Sequence, residues 1–399
     1  MTKSASTSYK RLSFSLYLNY VVHGFGLLIL AQNMTQLSKA WNQPLAVVSY
    51  VISGVGIGRL LAYLITGYFS DKLSRKFFVY LGMLCYFIFA IGIPFSKSIP
   101  LSYFLAILAG VANSALDAGT YTTFVEMGGG NGKYNVLLKA VISVGEFTIP
   151  LLVTLFSDLD AWFGWSFMVM AALILINAIL LFPIKFPDKR VSDKEEKVEE
   201  RPHSKKAKAL TTVLFVIYGY LSMALMIWYT QWITLYGQQT LKFTDMQSHF
   251  LLSLYSIGSV IGVLLLFTLL GKNASETKIM IVMNVIATLS LLIIVLSKSL
   301  VVAEFGSLLF GFSAASGVMQ TALTSFMRLY PTKTGFITGI FYFFGSIASF
   351  TVPIITGRLS IQSIKLAFSF DLLVGILSVL VVTIIAFLIK EFKLSNQFD

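Results

Sequence analysis

Charge is scarce in this sequence. Of its 399 residues, 12% are Asp, Glu, Lys or Arg, about half the share found in an ordinary soluble domain. A chain that is 56% hydrophobic cannot cover a folded surface with so few polar groups. A soluble globule, a disordered chain and a fibre are excluded, and the solvent for most of the protein is lipid. Cysteine is nearly absent as well. A lone Cys85 allows no intramolecular disulfide and no thiolate metal cluster. The three histidines, His23, His203 and His249, stand too far apart to suggest a zinc site. There is no Gly-x-Ser-x-Gly elbow and no Gly-x-x-x-x-Gly-Lys loop. Acyl transfer, metal chemistry and nucleotide use are therefore not indicated, so neither an enzyme nor a cofactor is expected. ATP-driven transport would need another subunit.

What is present is a series of apolar runs. Twelve are long enough to cross a bilayer, at roughly 13–35, 45–67, 77–95, 101–125, 136–157, 164–184, 211–236, 247–271, 278–297, 301–326, 334–357 and 366–389. The first follows Lys3, Lys10 and Arg11 in the manner of a signal peptide. Its length and lack of a small-residue cleavage site make it a retained helix. The net charge of +12 raises nucleic acid as a partner, but topology accounts for it. With the N-terminus inside, cytoplasmic segments hold 23 of the 30 Lys and Arg residues. External segments hold six (Lys39, Lys97, Lys242, Lys298, Arg358 and Lys365), and Arg59 lies within a span. That bias predicts a multi-pass protein of the cell or inner membrane with both termini cytoplasmic, embedded in lipid and binding no nucleic acid.

The longest polar stretch, Lys185 to Lys208, mixes both signs and splits the spans six and six. It reads as a solvated linker, with a lipid-binding or regulatory role as the alternative. The expected organisation is an N-terminal bundle at 1–184, a charged cytoplasmic linker at 185–210 and a C-terminal bundle at 211–399. The halves repeat each other. Phe147-Thr148-Ile149-Pro150 returns as Phe350-Thr351-Val352-Pro353, Gly58 and Gly67 as Gly262 and Gly271, and Leu108 and Gly110 as Leu309 and Gly311. Offsets of 203, 204 and 201 residues in corresponding spans mark an all-α protein of two pseudo-symmetric six-helix bundles.

The loop after the second span reads Gly67-Tyr-Phe-Ser-Asp71-Lys72-Leu-Ser-Arg75-Lys76. It resembles the signature of the major facilitator superfamily, departing from it at Ser74, where a second Gly is usual. The resemblance extends over the whole chain. A narrower one lies in HGFGLLILAQNM (23–34), SGVGIGRL (53–60), SDK (70–72), ANSALD (112–117) and GFSAA (311–315), which look like the enterobacterial YdiN/YdiM-type inner-membrane transport proteins. These resemblances imply the major facilitator fold and a secondary active transporter working by alternating access. Spans 1 and 4 are expected to line a central cavity, with spans 2 and 5 flanking the other half. The narrower group implies small hydroxylated or aromatic carboxylates, shikimate-like or quinate-like, as substrates. Gly67, Asp71, Arg75, Lys76 and Glu126 are expected to form a cytoplasmic gate, with Asp71 capping the cytoplasmic end of span 11.

The repeat serves as an internal control. Arg59 corresponds to Val263, Asp117 to Val318 and Glu146 to Ser349. The architecture therefore tolerates apolar or small residues where the N-terminal half carries charge. Each charge at the bilayer centre costs roughly 2.5–3.5 kcal/mol on insertion scales, so these should face a cavity and partner one another. His23, Arg59, Asp117 and Glu146 fall within about two helical turns of the midplane. They form a candidate site for an anionic substrate and a proton, with Asp117 or Glu146 as proton carrier and Asp117 preferred because it lies nearer Arg59 in this topology. Two alternatives stay open: Arg59 with Asp117 as a permanent ion pair, and Glu146 as a neutral acid bonding a neighbouring helix. His23 is either a satisfied core histidine or a ligand.

Further candidates for contacting substrate are Asn113, one turn from Asp117; Gln32 and Asn33 at the end of span 1; and Trp228, Gln231 and Trp232 in span 7. The tryptophans could equally belong to an interfacial belt. Gln320 lies near the repeat partner of Asp117. Lys139 is expected to snorkel to the cytoplasmic surface, and His249, Asp371 and Glu304 to be solvated at external helix ends. The reading is a monomeric, proton-coupled symporter of a small organic anion or polar metabolite. Proton-antiport drug or metabolite efflux is the alternative, weakened because Ile149 rather than Gly precedes Pro150.

Overall fold

The computed structural model describes residues 3–69, 74–127, 133–187, 205–271, 275–316, 318–330 and 333–391. Every regular element among them is helical. Apolar residues fill these segments, and without water a backbone satisfies its own N–H and C=O groups most simply as a helix. Eleven helices are long and apolar enough to cross a membrane, and Trp165–Leu181 is a shorter apolar one. Together they occupy the twelve runs read from the sequence.

The chain divides into two compact units, Met1–Val191 with Pro353–Ile361, and Ser192–Val352 with Gln362–Asp399. The first contains α1 (Lys3–Gln32), α2 (Met34–Trp41), α3 (Leu45–Phe69), α4 (Arg75–Phe95), α5 (Ile99–Met127), α6 (Lys133–Asp158) and α7 (Trp165–Leu181). The second contains α8 (Lys205–Tyr236), α9 (Asp245–Gly271), α10 (Glu276–Leu296), α11 (Leu300–Ala314), α12 (Val318–Arg328), most of α13 (Thr334–Gln362), α14 (Ile364–Ser369) and α15 (Asp371–Glu391). The π-helical segment Gly237–Leu241 extends α8.

Pairing within each unit follows the repeat. Helix α5 packs on α3 and α4, as α11 packs on α9 and α10. Glycine makes the tightest crossings possible. A β-carbon on Gly58 would lie 2.9 Å from the Gly110 Cα, and one on Gly24 would lie 2.9 Å from the Gly145 Cα. Small residues at such crossings let backbones approach where no hydrophobic force drives helices together. They also bring the next residues along: Arg59 follows Gly58, Glu146 follows Gly145, and His23 precedes Gly24.

Large apolar side chains such as Phe104, Leu175, Phe267 and Phe387 are exposed, as an outer face solvated by acyl chains requires. Cys85 is buried on α4. In α4 the first turn is capped by Ser74, whose hydroxyl accepts from the Phe77 N–H.

Three solvation expectations are corrected. Asp371 is 0% exposed and His249 1%, because neighbouring helices cover the helix ends that carry them, and Glu304 is half-buried rather than free in solvent. Lys139 does not snorkel outward. Its Nζ lies 3.6 Å from Glu146 Oε1 on the same face of α6, two turns along, where a carboxylate compensates its charge.

Candidate functional site

Helices α1, α3, α4, α5 and α6 gather a polar cluster inside the first unit. At its centre is Asp117 on α5. Its Oδ1 accepts from the Tyr20 hydroxyl at 2.7 Å, and its Oδ2 from the Tyr63 hydroxyl at 3.4 Å. Tyr63 is also hydrogen-bonded to Arg59, which lies within electrostatic range of Asp117. Arg59 and Tyr63 are one helical turn apart on α3, so a single face of that helix presents a cation and a hydroxyl to the carboxylate.

His23, on α1, is buried and stacks on Tyr20 with ring centres 5.4 Å apart and planes 11° from parallel. Its other edge meets Tyr86 at 6.1 Å. Among the described residues the imidazole Nδ1 has no hydrogen-bond partner. Asp117, Arg59 and Lys139 all act on this ring electrostatically. Tyr86 donates its hydroxyl to Asn113 Oδ1, one turn before Asp117, while the buried Asn113 amide nitrogen has no partner among the described residues.

Glu146 is 4% exposed. Beyond the contact with Lys139, its Oε2 accepts from the Ser143 hydroxyl at 3.4 Å. Both are longer than the 2.7 Å bond that Tyr20 makes to Asp117. The cluster thus holds two cations, two carboxylates and one imidazole, with uncommitted nitrogen atoms on His23 and Asn113. Such a set can bind an anion, donate to a hydroxyl and move a proton. Among the described residues no group of acidic, histidine or cysteine side chains could hold a metal ion.

Other sequence candidates lie elsewhere. Asn33 is buried at the junction of α1 and α2, where its amide donates to Ile29 O at 2.8 Å and Ser166 Oγ at 3.3 Å. With Gln36, Lys39, Asp160 and Trp162 it lines a cavity of about 540 Å³. Gln32 is buried beside it. In the second unit, Trp228 donates its indole N–H to Ala367 O. Trp228, Gln231 and Trp232 are all buried, so the tryptophans form neither an exposed interfacial belt nor an open aromatic wall. Gln320 is exposed on α12, just beyond the break between α11 and α12.

Of the gate candidates, Asp71 and the side chain of Glu126 lie outside the described residues, and Gly67 is in the last turn of α3. Arg75 begins α4 and is half-buried. Lys76 donates to the carbonyls of Phe182 and Ile184 at 3.2 and 3.4 Å, a cation at the C-terminal end of α7. The second unit has a charge group that sequence reading missed. Arg328 Nη2 lies 2.8 Å from Glu276 Oε1, and Ser325 donates to Glu276 Oε2 at 2.6 Å. The repeat could have found it, since Glu276 and Arg328 stand about 201 residues beyond Arg75 and Glu126 with their signs exchanged.

Twelve apolar helical segments among the described residues, in two units whose sequences repeat each other, mark a multi-pass membrane protein, and its relatives are transporters, not enzymes. The chain belongs to the Major Facilitator Superfamily, whose model matches residues 16–353. It is 37% identical over 363 residues to the inner membrane transport protein YdiM of Escherichia coli (strain K12), covering 90% of this chain and 89% of that protein. With YdiN of the same organism it shares 30% over 384 residues, 95% and 91% of the two chains. Among solved structures, a D-xylose–proton symporter superposes with a TM-score of 0.75 at 12% identity, covering 94% of this chain and 97% of that one. The nucleoside transporter NupG gives 0.69 at 13%, covering 96% and 99%. The major facilitator fold follows from these matches.

Proposed function

We propose that the protein is a secondary active transporter that moves a small organic anion together with a proton by alternating access. The observation that carries this reading is the asymmetric charge cluster: Arg59, Asp117, Lys139 and Glu146 gather in one unit, while the corresponding repeat positions are Val263, Val318, Tyr342 and Ser349. Residues that the fold does not demand, and that cost energy in lipid, are retained for work. Their formal charges cancel, two against two. An added carboxylate would leave the buried cluster with a net negative charge, and uptake of one proton restores neutrality. That balance favours symport of an anion with a proton.

In this scheme Arg59 grips the substrate carboxylate with its planar fork, helped by Lys139. His23 and Asn113 supply hydrogen bonds to substrate hydroxyls or ring substituents. Asp117 or Glu146 carries the proton, and Glu146 has the looser partners. Gly67, Asp71, Arg75, Lys76 and Glu126 form the cytoplasmic gate. The proposed topology places both termini in the cytoplasm of the cell that bears the protein, with the linker at 185–210 and one chain per functional unit. Hydroxylated or aromatic carboxylates, which suit a guanidinium beside uncommitted hydrogen-bonding nitrogens, are the first compounds to try.

The test is uptake into proteoliposomes under an inward proton gradient, after a thermal-shift screen of small carboxylates, sugars and cationic drugs, since a ligand of the folded state raises its apparent stability. Carboxylate accumulation that collapses when the gradient is dissipated supports the reading. Accumulation indifferent to the gradient sinks it.

A further inference from the structure

Asp371 is the first residue of α15 and is fully buried, 0% exposed. It sits inside span 12, seven residues beyond the start of Ile364–Lys390, where the one-residue break at Phe370 separates α14 from α15. Among the described residues neither carboxylate oxygen accepts a hydrogen bond. Among the described residues no cation pairs with it.

The elements packed around α15 explain why. Helix α8 presents Tyr229, within electrostatic range of the carboxyl. Tyr229 in turn stacks on Phe310 at 4.2 Å and on Tyr255 of α9 at 5.5 Å, and tilts against Phe368 of α14 at 6.0 Å. Beyond Lys278, α10 carries no ionisable group. Lys365 on α14 is exposed, Glu304 on α11 is half-buried, and His249 on α9 is already paired with Asp245 at 3.7 Å. Among the described residues Asp371 therefore has a phenol within electrostatic range, itself set in a stack of aromatic rings, and no paired base or cation.

An ionised carboxylate left without donors in a membrane bundle is among the costliest arrangements a protein can hold. One proton removes the charge and supplies a donor. The opposite state has support as well: the free N–H groups and positive end of α15's first turn favour an anion there. Both charge states thus have a physical basis. Polar atoms without protein partners lie nearby in sequence and helix, at Ser369 Oγ and at Ser378 Oγ two turns along the same face of α15.

We infer that Asp371 is a proton-binding site of the second unit, separate from the charge cluster of the first. The site takes one exchangeable proton and no metal ion, since a single carboxyl beside a phenol falls well short of the six or more oxygens of a hard-cation shell. It stands independently of the anion-symport reading, because it rests on different residues in a different unit.

The test is infrared difference spectroscopy of the purified full chain, with aspartate carboxyl groups labelled with carbon-13. A protonated-carboxyl band that shifts with the label, survives in Asp117→Asn and disappears as pH is raised is the expected result. Asp371→Asn should remove that band, and Asp371→Glu should replace it with one insensitive to the aspartate label. Should neither variant fold, the labelled Asp117→Asn protein still decides. An aspartate-derived band there that persists above about pH 6, where exposed aspartates are ionised, supports the site, and its absence above about pH 6 overturns it. A band unchanged in a folded Asp371→Asn protein also overturns it.

Discussion

The hydroxyl of Tyr20 donates to Asp117 across 2.7 Å, joining residues 97 positions apart on α1 and α5. A charge-assisted bond of this kind contributes about 1.5–3 kcal/mol. Tyr20→Phe should lower the thermal unfolding midpoint and loosen substrate affinity several-fold, while Tyr63→Phe, at 3.4 Å, should cost less. Equal effects from the two variants, measured by calorimetry and ligand titration, would mean that Asp117 is not fixed by Tyr20.

Arg59→Lys keeps the charge and loses the fork. Binding of a carboxylate substrate should weaken by roughly 1.5–3 kcal/mol, and a neutral analogue should lose far less. Isothermal titration of both ligands distinguishes this from a structural role, in which the two would suffer alike.

The two carboxylates of the first unit should separate in function. Glu146→Gln and Asp117→Asn are each to be compared in uphill uptake driven by a pH gradient and in counterflow, which needs no net proton movement. The proton carrier is the residue whose amide abolishes the former and spares the latter. Its weaker hold, through Lys139 at 3.6 Å and Ser143 at 3.4 Å, makes Glu146 the expected one. If both amides leave uphill uptake intact, neither carries the proton.

Glu276 is buried against Arg328 and Ser325. Arg328→Ala leaves that carboxylate with a hydroxyl alone and should destabilise the second unit by about 1–3 kcal/mol, below the full buried-pair figure because the arginine is partly exposed. Adding Glu276→Gln should recover part of the loss. A double-mutant cycle reads the coupling, and purely additive losses would show that the pair contributes nothing.

The spans were legible because lipid imposes one rule on every crossing segment, and the repeat was legible because Pro150 and Pro353, or Gly58 and Gly262, recur at matching depths. The charges of the cluster were legible through their failure to repeat. Their tyrosine partners were not, since Tyr20, Tyr63 and Tyr86 are indistinguishable by composition from a buried aromatic core. Spacing held the missing signal: Tyr20 lies three residues before His23, Tyr63 four after Arg59, and Lys139 seven before Glu146, each pair on one helical face. Asp371 and His249 were misjudged for a different reason. Position along a helix gives depth in the membrane, but only the packing of neighbouring helices says whether a residue at that depth meets water.

Cys85 adjoins Tyr86, the residue that holds Asn113, and it is buried on the same helix. As the chain's single thiol it is a reporter placed by nature beside the cluster. Maleimide reacts with an accessible thiolate, so the rate at which it modifies Cys85 measures how often the α4 face swings open. A substrate that tightens the cluster should slow that reaction without any engineered label. Conversely, a cysteine introduced on an exposed face would stand as the one fast-reacting site in the molecule, since the native thiol of Cys85 is buried.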